Sequence, residues 1–505
     1  MSVQHGADHE GDLDRDCDVV VIGSGAGGAV VATELALSGL RVIVIEEGKH
    51  VPAHVHGRMR QSQAVRQLWR DGGMGVAFGL GGSPSVNLTI GSGIGGSSIL
   101  TGGVCFRVPE AVNDAWANEM GLADLTAKGM DRYYARVEQA IHVEEVPVQM
   151  RSRSTSLFAE GAEKLGYSLR PTRRNTNGCE GCGRCNFGCP HDAKMSVDLS
   201  YLPRAMAAGA EVWSDCLVTR IVHENGRARG VKGRLLNGPN RTKKGRLEVT
   251  AKVVVSTCGG LHTPVLLRSS GLAGLDSQIG QHLTLHPGFR VFASFDEEVR
   301  GWSGAMQSAF SDHFEHERLM LMSIFIPASV IAAQLPGAGP RNRHNLEELG
   351  NIAVFGAMIH DDGPGTVWPG IGREPLVTYR MSKRDKRAMC RGIRLVAETY
   401  FAAGAKKVYL PVLGAEPVDA DGLARFELER VRATRIESGS QHPLGTCRMG
   451  TAAAWSGVDA DGRLWGTDNV YVADGSVIPS SLGVTPQLPI MAMATRIAER
   501  LLGAW

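Results

Sequence analysis

The stretch from Asp18 to Glu46 constrains the chain more than any other. It reads Asp18-Val-Val-Val-Ile-Gly23-Ser-Gly25-Ala-Gly-Gly28, continues in small and apolar residues to Gly39, and ends Arg41-Val-Ile-Val-Ile-Glu46. An apolar strand stops at Gly23, a small-residue helix follows, and a second apolar strand ends in an acid. This is the strand–turn–helix–strand unit of a dinucleotide-binding parallel sheet. Gly23 permits the tight turn, Gly25 lets the backbone approach a pyrophosphate, and Gly28 lets helix pack on strand. The helix N-terminus offers phosphates its unpaired N–H groups and the positive end of its dipole. Glu46 stands eighteen residues past Gly28, where a carboxylate accepts hydrogen bonds from a ribose hydroxyl.

A chain of 505 residues has room for more than one domain with large cores. Its formal net charge of +2 carries no general signal for nucleic acid or a membrane surface. No apolar stretch reaches the roughly 18 residues of a membrane-spanning helix. Residues 1–16 are polar and acidic and lack the apolar core of an export signal, so they read as a mobile tail and the expected address is cytoplasmic.

Beyond the fingerprint, a second glycine run, Gly91-Ser-Gly-Ile-Gly95-Gly96-Ser97-Ser98, suits a backbone that lines a phosphate or a flat ring. Residues 113–141 and 155–166 read as helical. Val218–Val222, Gly230–Leu236 and Leu247–Thr257 read as strands, with a basic hairpin loop at 237–245. Segment 286–430 is more irregular and reads as a separate domain. Its strand candidates are 289–295, 319–326, 352–359 and 375–380, with helices at 383–403 and near 420–430. Strong apolar signals return in Asn469-Val-Tyr-Val-Ala-Asp474 and in a closing helix from Gln487 to Leu502.

Six of the ten cysteines are scattered, as reduced core thiols are. Four are packed into Cys179-Glu-Gly-Cys182-Gly-Arg-Cys185-Asn-Phe-Gly-Cys189-Pro190. The spacing C-x2-C-x2-C-x3-C-P is that of bacterial 4Fe–4S ferredoxins and points to an iron–sulfur cluster. Zinc prefers two pairs separated by a longer stretch. Plain thiols or a disulfide are the other reading. Arg151, Arg153, Arg170, Arg173 and Arg174 precede the run, either as a solvated basic face or as a dock for an acidic electron acceptor.

Two late motifs complete the pattern: His442-Pro-Leu-Gly-Thr-Cys-Arg-Met-Gly450, and Asp474-Gly-Ser-Val-Ile-Pro-Ser-Ser-Leu-Gly-Val-Thr485-Pro486-Gln487. With the fingerprint, the second glycine run and Ser256-Thr-Cys-Gly-Gly260, they make the chain resemble the glucose–methanol–choline (GMC) family of flavin oxidoreductases over roughly residues 17–505. The resemblance implies an α/β (overall α+β) fold: a Rossmann-like FAD-binding domain of the GMC type plus a substrate domain built on an antiparallel sheet with helices. The FAD-binding domain would be discontinuous, from 17–110, 198–285 and 431–505, with a helical insert at 111–197 carrying the cysteines and the substrate domain at 286–430.

The same resemblance implies FAD as cofactor and an alcohol as substrate, oxidised by hydride transfer to flavin. Gly23, Gly25, Gly28 and Glu46 resemble the ADP-ribose site. Gly95, Gly96, Ser97 and Ser98 resemble the loop against pyrophosphate and flavin. Val218 corresponds to a residue whose backbone meets the adenine, and Asp474 to an acid near the ribityl and pyrophosphate groups. His442 corresponds to the histidine at the flavin's reactive edge. A neutral imidazole there can take the hydroxyl proton as hydride leaves the carbinol carbon. The chain departs from the pattern at Thr485, where relatives carry Asn or a second His; either the Thr485 hydroxyl holds a substrate oxygen there, directly or through water, or another residue such as His262 or His286 does this work. A cluster would carry electrons one at a time to an acceptor protein or quinone. The alternatives are an FAD-only alcohol oxidase making hydrogen peroxide, and an electron-transfer protein without alcohol oxidation.

Overall fold

The computed structural model of the protein describes residues 2–237, 241–324, 326–336 and 339–505, with backbone alone at 341, 342 and 344. The tip of the basic hairpin at 238–240, and Phe325 within the apolar run 319–326, lie outside the described residues.

Two sheets organise the chain. The first has eight strands. Its parallel part runs Gln4–His5, Glu211–Ser214, Val42–Ile45, Leu13–Ile22 and Thr242–Ser256, with Val470–Val472 paired to the end of that last strand. The long strand Thr242–Ser256 also continues antiparallel into Arg227–Asn237 and Cys216–Glu224. Register sets Val19–Ile22 between Val42–Ile45 and Val253–Ser256. Every apolar side chain there is buried: the helix Ala26–Leu37 packs on Leu13–Ile22 and Val42–Ile45, and the antiparallel strands Cys216–Glu224 and Arg227–Asn237 also pack against them. The helix Ala26–Leu37 is buried from Gly27 to Ala36, mostly small and apolar residues with Glu34 paired to Arg136, and it packs on the closing helix Gln487–Gly503.

The second sheet has eleven strands. Gly288–Ser294, Ile352–Ile359 and Leu319–Met322 pair antiparallel at its centre. The sheet as a whole is mixed. Ser438–Ser440 joins Val86–Leu88 in parallel, and Pro375–Tyr379 joins Gly75–Gly79 in parallel. Four strands of this sheet come from sequence outside 286–430: Gly75–Gly79, Val86–Leu88, Arg170–Pro171 and Ser438–Ser440. One face is covered by the helices Lys383–Ala402 and Arg153–Lys164, and the Phe158 ring stacks on Phe355 with centroids 3.6 Å apart. Ser382 and Asp385 close a reciprocal cap at the start of Lys383–Ala402, each side chain accepting the other's backbone N–H, at 3.0 and 3.1 Å. The opposite face looks onto a cavity.

Two expectations are corrected. Residues 2–16 are no tail: Gln4–His5 adds a parallel edge strand beside Glu211–Ser214, Gly6 N–H donates to the Ser214 carbonyl at 2.9 Å, and Leu13 is buried. Strand pairing at an edge uses backbone groups and asks little of the side chains, so polarity misled. The helical stretch 113–141 divides into Glu110–Asn118 and Ala127–Ala140, with Gly121 at φ 71° between them and Thr126 capping the second helix. Among the described residues no helix is long and apolar enough to cross a membrane.

Candidate active site

A cavity of about 1360 Å³ lies between the two sheets. Ala26, Ser97, Ser98 and Thr101 line it from the side of the first sheet, and Arg290, Met322 and Met358 from the second. His442, His286 and the segment Thr485–Gln487 stand on the same wall-to-wall opening.

The glycine turns come together as backbone against backbone. A Cβ on Gly28 would sit 2.1 Å from the Gly23 carbonyl oxygen, and one on Gly96 would sit 2.9 Å from the Gly25 Cα. Ser24 joins the two runs, its Oγ accepting from Gly95 N–H at 3.1 Å and donating to Glu46 Oε2 at 2.8 Å. Glu46 is buried, and its carboxylate also accepts from the N–H groups of Ser24 and Gly48 at 3.0 and 2.8 Å. Burial raises its pKa against the pull of those bonds. Ser98 Oγ donates to the Gly95 carbonyl at 2.7 Å and Ser97 Oγ accepts from Gly91 N–H at 2.9 Å, so both hydroxyls brace the turn. Val218 is buried two residues beyond Cys216, whose N–H donates to the Glu46 carbonyl at 2.9 Å. Asp474 accepts from Gly259 N–H, Thr263 Oγ1 and Ser476 N–H at 2.8, 2.6 and 2.8 Å. It therefore ties the last strand's end to the turn after Thr242–Ser256, and burial pushes its pKa up.

The donor chemistry of this end of the cavity fits a flavin nucleotide. Gln487 accepts from Thr101 Oγ1 at 2.8 Å through Oε1, while its Nε2 is buried with no partner. A buried amide donor on a cavity wall calls for an acceptor from a bound group. The positive end of the helix Gln487–Gly503 opens onto the same place.

His442 and His286 face each other as a T-shaped pair, centroids 5.4 Å apart, with Nδ1 to Nδ1 at 3.4 Å. Burial, then the neighbouring ring, hold the pKa of His442 down at about 3, and burial holds His286 there too. Both rings are neutral at any working pH. His286 Nε2 accepts N–H bonds from Leu482 at 2.9 Å and Gly483 at 3.2 Å, so its proton sits on Nδ1 and points at His442. Thr485 lines the cavity, but its hydroxyl donates to the Val104 carbonyl at 3.2 Å. His262 is elsewhere, 3.7 Å from Glu374.

Behind His286 lies Asp361, a residue that sequence reasoning missed because Asp361-Asp362-Gly-Pro reads as a polar turn. Asp361 is 1% exposed. Its Oδ1 accepts from His286 N–H at 3.1 Å and Ser481 Oγ at 2.9 Å, and its Oδ2 from Leu285 N–H and Tyr379 Oη, both at 3.0 Å. The carboxylate thereby fixes both segments that hold His286. Asp361→Ala is expected to cost about 1–3 kcal/mol for each donor left bare, read as a lower melting temperature. Asp361→Asn, which keeps two acceptor sites, is expected to recover part of that loss.

The four clustered cysteines line one small cavity together with Arg174 and Lys194. All are free thiols, so the disulfide reading falls. Arg174 Nη2 donates to Cys185 Sγ at 3.0 Å and its Nε to the Gly102 carbonyl at 2.7 Å. Lys194 Nζ donates to the carbonyls of Ile99, Cys185 and Thr101 at 2.6, 2.7 and 3.0 Å. These two cations tie the cysteine loop to the segment that borders the large cavity. Among the described residues, no three His, Cys, Asp or Glu side chains are set to hold a metal ion. The ferredoxin-like spacing is therefore not matched by a formed metal site. The neighbouring arginines are no free basic face: Arg153 pairs with Glu160 and Glu297, Arg170 with Asp312 and Arg173 with Glu138, and Arg174 is buried.

Comparison with known proteins agrees with this layout. Residues 17–288 match the N-terminal family model of GMC oxidoreductases, and residues 373–494 match the C-terminal one. An uncharacterised GMC-type oxidoreductase of Mycobacterium tuberculosis is 37% identical over 484 residues, which is 96% of this chain and 75% of that protein. A long-chain-alcohol oxidase of Arabidopsis thaliana is 27% identical over 518 residues, 96% of this chain and 66% of that one. A solved formate oxidase of Aspergillus oryzae shares the fold with a TM-score of 0.74 at 15% identity, covering 97% of this chain and 98% of its own. The two-sheet architecture, the paired glycine turns and both family matches identify the chain as a member of the GMC oxidoreductase family.

Proposed function

We propose that the protein is an FAD-dependent oxidoreductase acting on the CH–OH group of an alcohol, with His442 taking the hydroxyl proton. The observation that carries this reading is the neutral His442–His286 pair on the cavity that Ser97, Ser98 and Gln487 also line. Gly23, Gly25, Gly28, Gly96 and Glu46 would hold the nucleotide, and Ser97, Ser98, Thr101 and Gln487 the flavin end. Bound FAD would supply the two-electron acceptor. His442 supplies the proton chemistry. While His286 Nδ1–H is directed at His442 Nδ1, His442 keeps its proton on Nε2 and meets an alcohol oxygen as a donor. At 3.4 Å that contact is near the outer limit of a hydrogen bond. Releasing it costs about 1 kcal/mol and lets the neutral ring carry its one proton on Nδ1 instead, the tautomer in which Nε2 can accept the hydroxyl proton. His286 thus sets the tautomer of the catalytic ring.

The depressed pKa of His442 fixes the sign of the pH dependence. The proton-accepting form is lost only as pH falls towards about 3. Anaerobic bleaching of the flavin by an alcohol is therefore expected to stay level from about pH 8 to about pH 5, without the limb near 6.5 of an ordinary histidine. An alcohol panel run against the bound flavin tests the function itself: bleaching by dithionite but by no alcohol would replace it with an electron-transfer role.

We infer further that Cys179, Cys182, Cys185 and Cys189 hold an iron–sulfur cluster. Four thiols around one small cavity, with Arg174 and Lys194 to offset negative charge, support this donor set. A cluster would supply one-electron transfer to an external acceptor protein or quinone. A second reading, direct reduction of oxygen to peroxide, is favoured by the absence of an ion-holding group among the described residues and by the alcohol-oxidase relative. Protein purified anaerobically is expected to carry iron and acid-labile sulfide alongside flavin. Flavin without iron, with peroxide formed on turnover in air, establishes the oxidase instead.

A further inference from the structure

Arg290 is a cation without a counter-ion on the wall of the substrate cavity. It lies in the strand Gly288–Ser294, whose residues Phe289, Val291 and Ala293 are buried in the core under the covering helices. Arg290 takes the other face and lines the cavity. Its cross-strand partner is Gly356, so no side chain stands opposite it. Its Nε is shut off from water and has no hydrogen-bond partner. No carboxylate among the described residues comes within ion-pair distance of its guanidinium. Glu437, the acid on the lining among those residues, is exposed and lies beyond that range.

The two fully buried arginines, Arg174 and Arg496, are by contrast paired. Arg174 bonds Gly102 and Cys185, and Arg496 bonds Asp124 at 2.6 Å and the Ala460 carbonyl at 2.7 Å. On the same stretch of cavity wall as Arg290 stand Phe292, two residues on, and Met322 and Met358 from the neighbouring strands. A guanidinium partly withdrawn from water and left unpaired is destabilising. A group that enters the cavity is what can offset it. That group is not the nucleotide's phosphates, which belong to the glycine turns of the other sheet. It is an anion on the substrate. A planar guanidinium fork matches a carboxylate in bidentate fashion, and a single positive charge balances one negative charge rather than two.

Resting on the alcohol-oxidation reading above, we propose that Arg290 binds a carboxylate carried by the substrate. The alcohol taken here is then an amphipathic hydroxy acid: hydroxyl at His442, apolar body against Met322 and Met358, carboxylate at Arg290. Gly288, two residues before Arg290, is the Cα partner of Gly439, three residues before His442, in an antiparallel pair, so the two polar ends stand several residues apart on the same cavity wall.

The test uses the flavin-loaded enzyme, its Arg290→Met and Arg290→Lys variants, and three probes: ω-hydroxydodecanoate, dodecanol and dodecanoate. Wild type is expected to favour ω-hydroxydodecanoate over dodecanol in kcat/KM. Arg290→Met is expected to raise KM for the hydroxy acid, and to weaken dodecanoate binding read from the flavin spectrum, by about 30–100-fold, the loss of one charge-assisted pair. Arg290→Lys is expected to recover part of both. Dodecanoate carries no hydroxyl, so its arm reads the carboxylate site even if no alcohol is oxidised. Equal losses for dodecanol and the hydroxy acid, or dodecanoate binding that ignores the substitution, overturn the proposal. Should Arg290→Met fail to hold flavin, the wild type decides: dodecanol binding as tightly as dodecanoate overturns it as well.

Discussion

Replacing His442 by alanine leaves flavin bound and slows its anaerobic bleaching by an alcohol about 10²–10⁴-fold, the usual contribution of a positioned proton acceptor. The ring makes no hydrogen bond to the glycine turns that would hold the nucleotide. Its one side-chain partner is His286, and its backbone N–H donates to Ser440 Oγ at 2.9 Å, a bond that alanine keeps. Flavin content and the rate of bleaching by dithionite are therefore expected to match wild type, which isolates the proton step from cofactor loading. His286→Gln separates the two histidines further. It removes the Nδ1–H directed at His442 and leaves His442 itself in place. Since that N–H holds the proton on His442 Nε2, the variant's bleaching rate is expected not to fall as that of His442→Ala does. An alcohol that bleaches flavin in His442→Ala as fast as in wild type removes His442 from the chemistry.

The first sheet was legible because its constraints are local. Strands buried on both faces read as runs of Val and Ile, and backbone turns that must approach one another demand glycine at fixed spacing, as at Gly23, Gly28 and Gly96. The second sheet was only partly so. Gly288–Ser294 and Ile352–Ile359 announce themselves, but the pairing of Val86–Leu88 with Ser438–Ser440 joins residues some 350 positions apart and leaves no mark in either segment. At the site, His442 is carried by its flanking motif, and His286 could be named only as a candidate. Asp361 and Arg290 were invisible for a shared reason. A charged residue in a sequence is expected at the surface, and only the fold shows four donors converging on one carboxylate or a guanidinium with none to meet. The cysteine spacing was equally plain in the sequence; the two cations that tie its loop to Ile99–Gly102 lie before and after it and carry no spacing signature.

Gly27→Ala is expected to destabilise the protein and to empty it of flavin, whereas Gly25→Ala is expected to do only the second. The fingerprint spacing assigns no role to Gly27, and helix propensity predicts a gain of roughly 0.5–1 kcal/mol from Ala inside a helix. The structure reverses the sign. A Cβ on Gly27 would sit 1.9 Å from the Ala473 carbonyl oxygen and 3.2 Å from the Asp474 Cα, both backbone atoms that no rotamer change can move aside. The helix Ala26–Leu37 must then shift away from the segment that Asp474 braces through Gly259, Thr263 and Ser476. Overpacking of this kind costs about 1–3 kcal/mol or more, and the displaced helix start no longer faces the phosphates. Gly25 meets nothing nearer than the Gly96 Cα at 4.0 Å, so the added methyl disturbs no packing in the protein and occupies only the space a pyrophosphate would use. Thermal melts of the flavin-free proteins should separate the two variants, with Gly25→Ala at the wild-type midpoint and Gly27→Ala below it. A Gly27→Ala protein that melts at the wild-type temperature and retains flavin would show that the last strand yields to the helix, and that the contact at Ala473 does not set the position of the nucleotide turn.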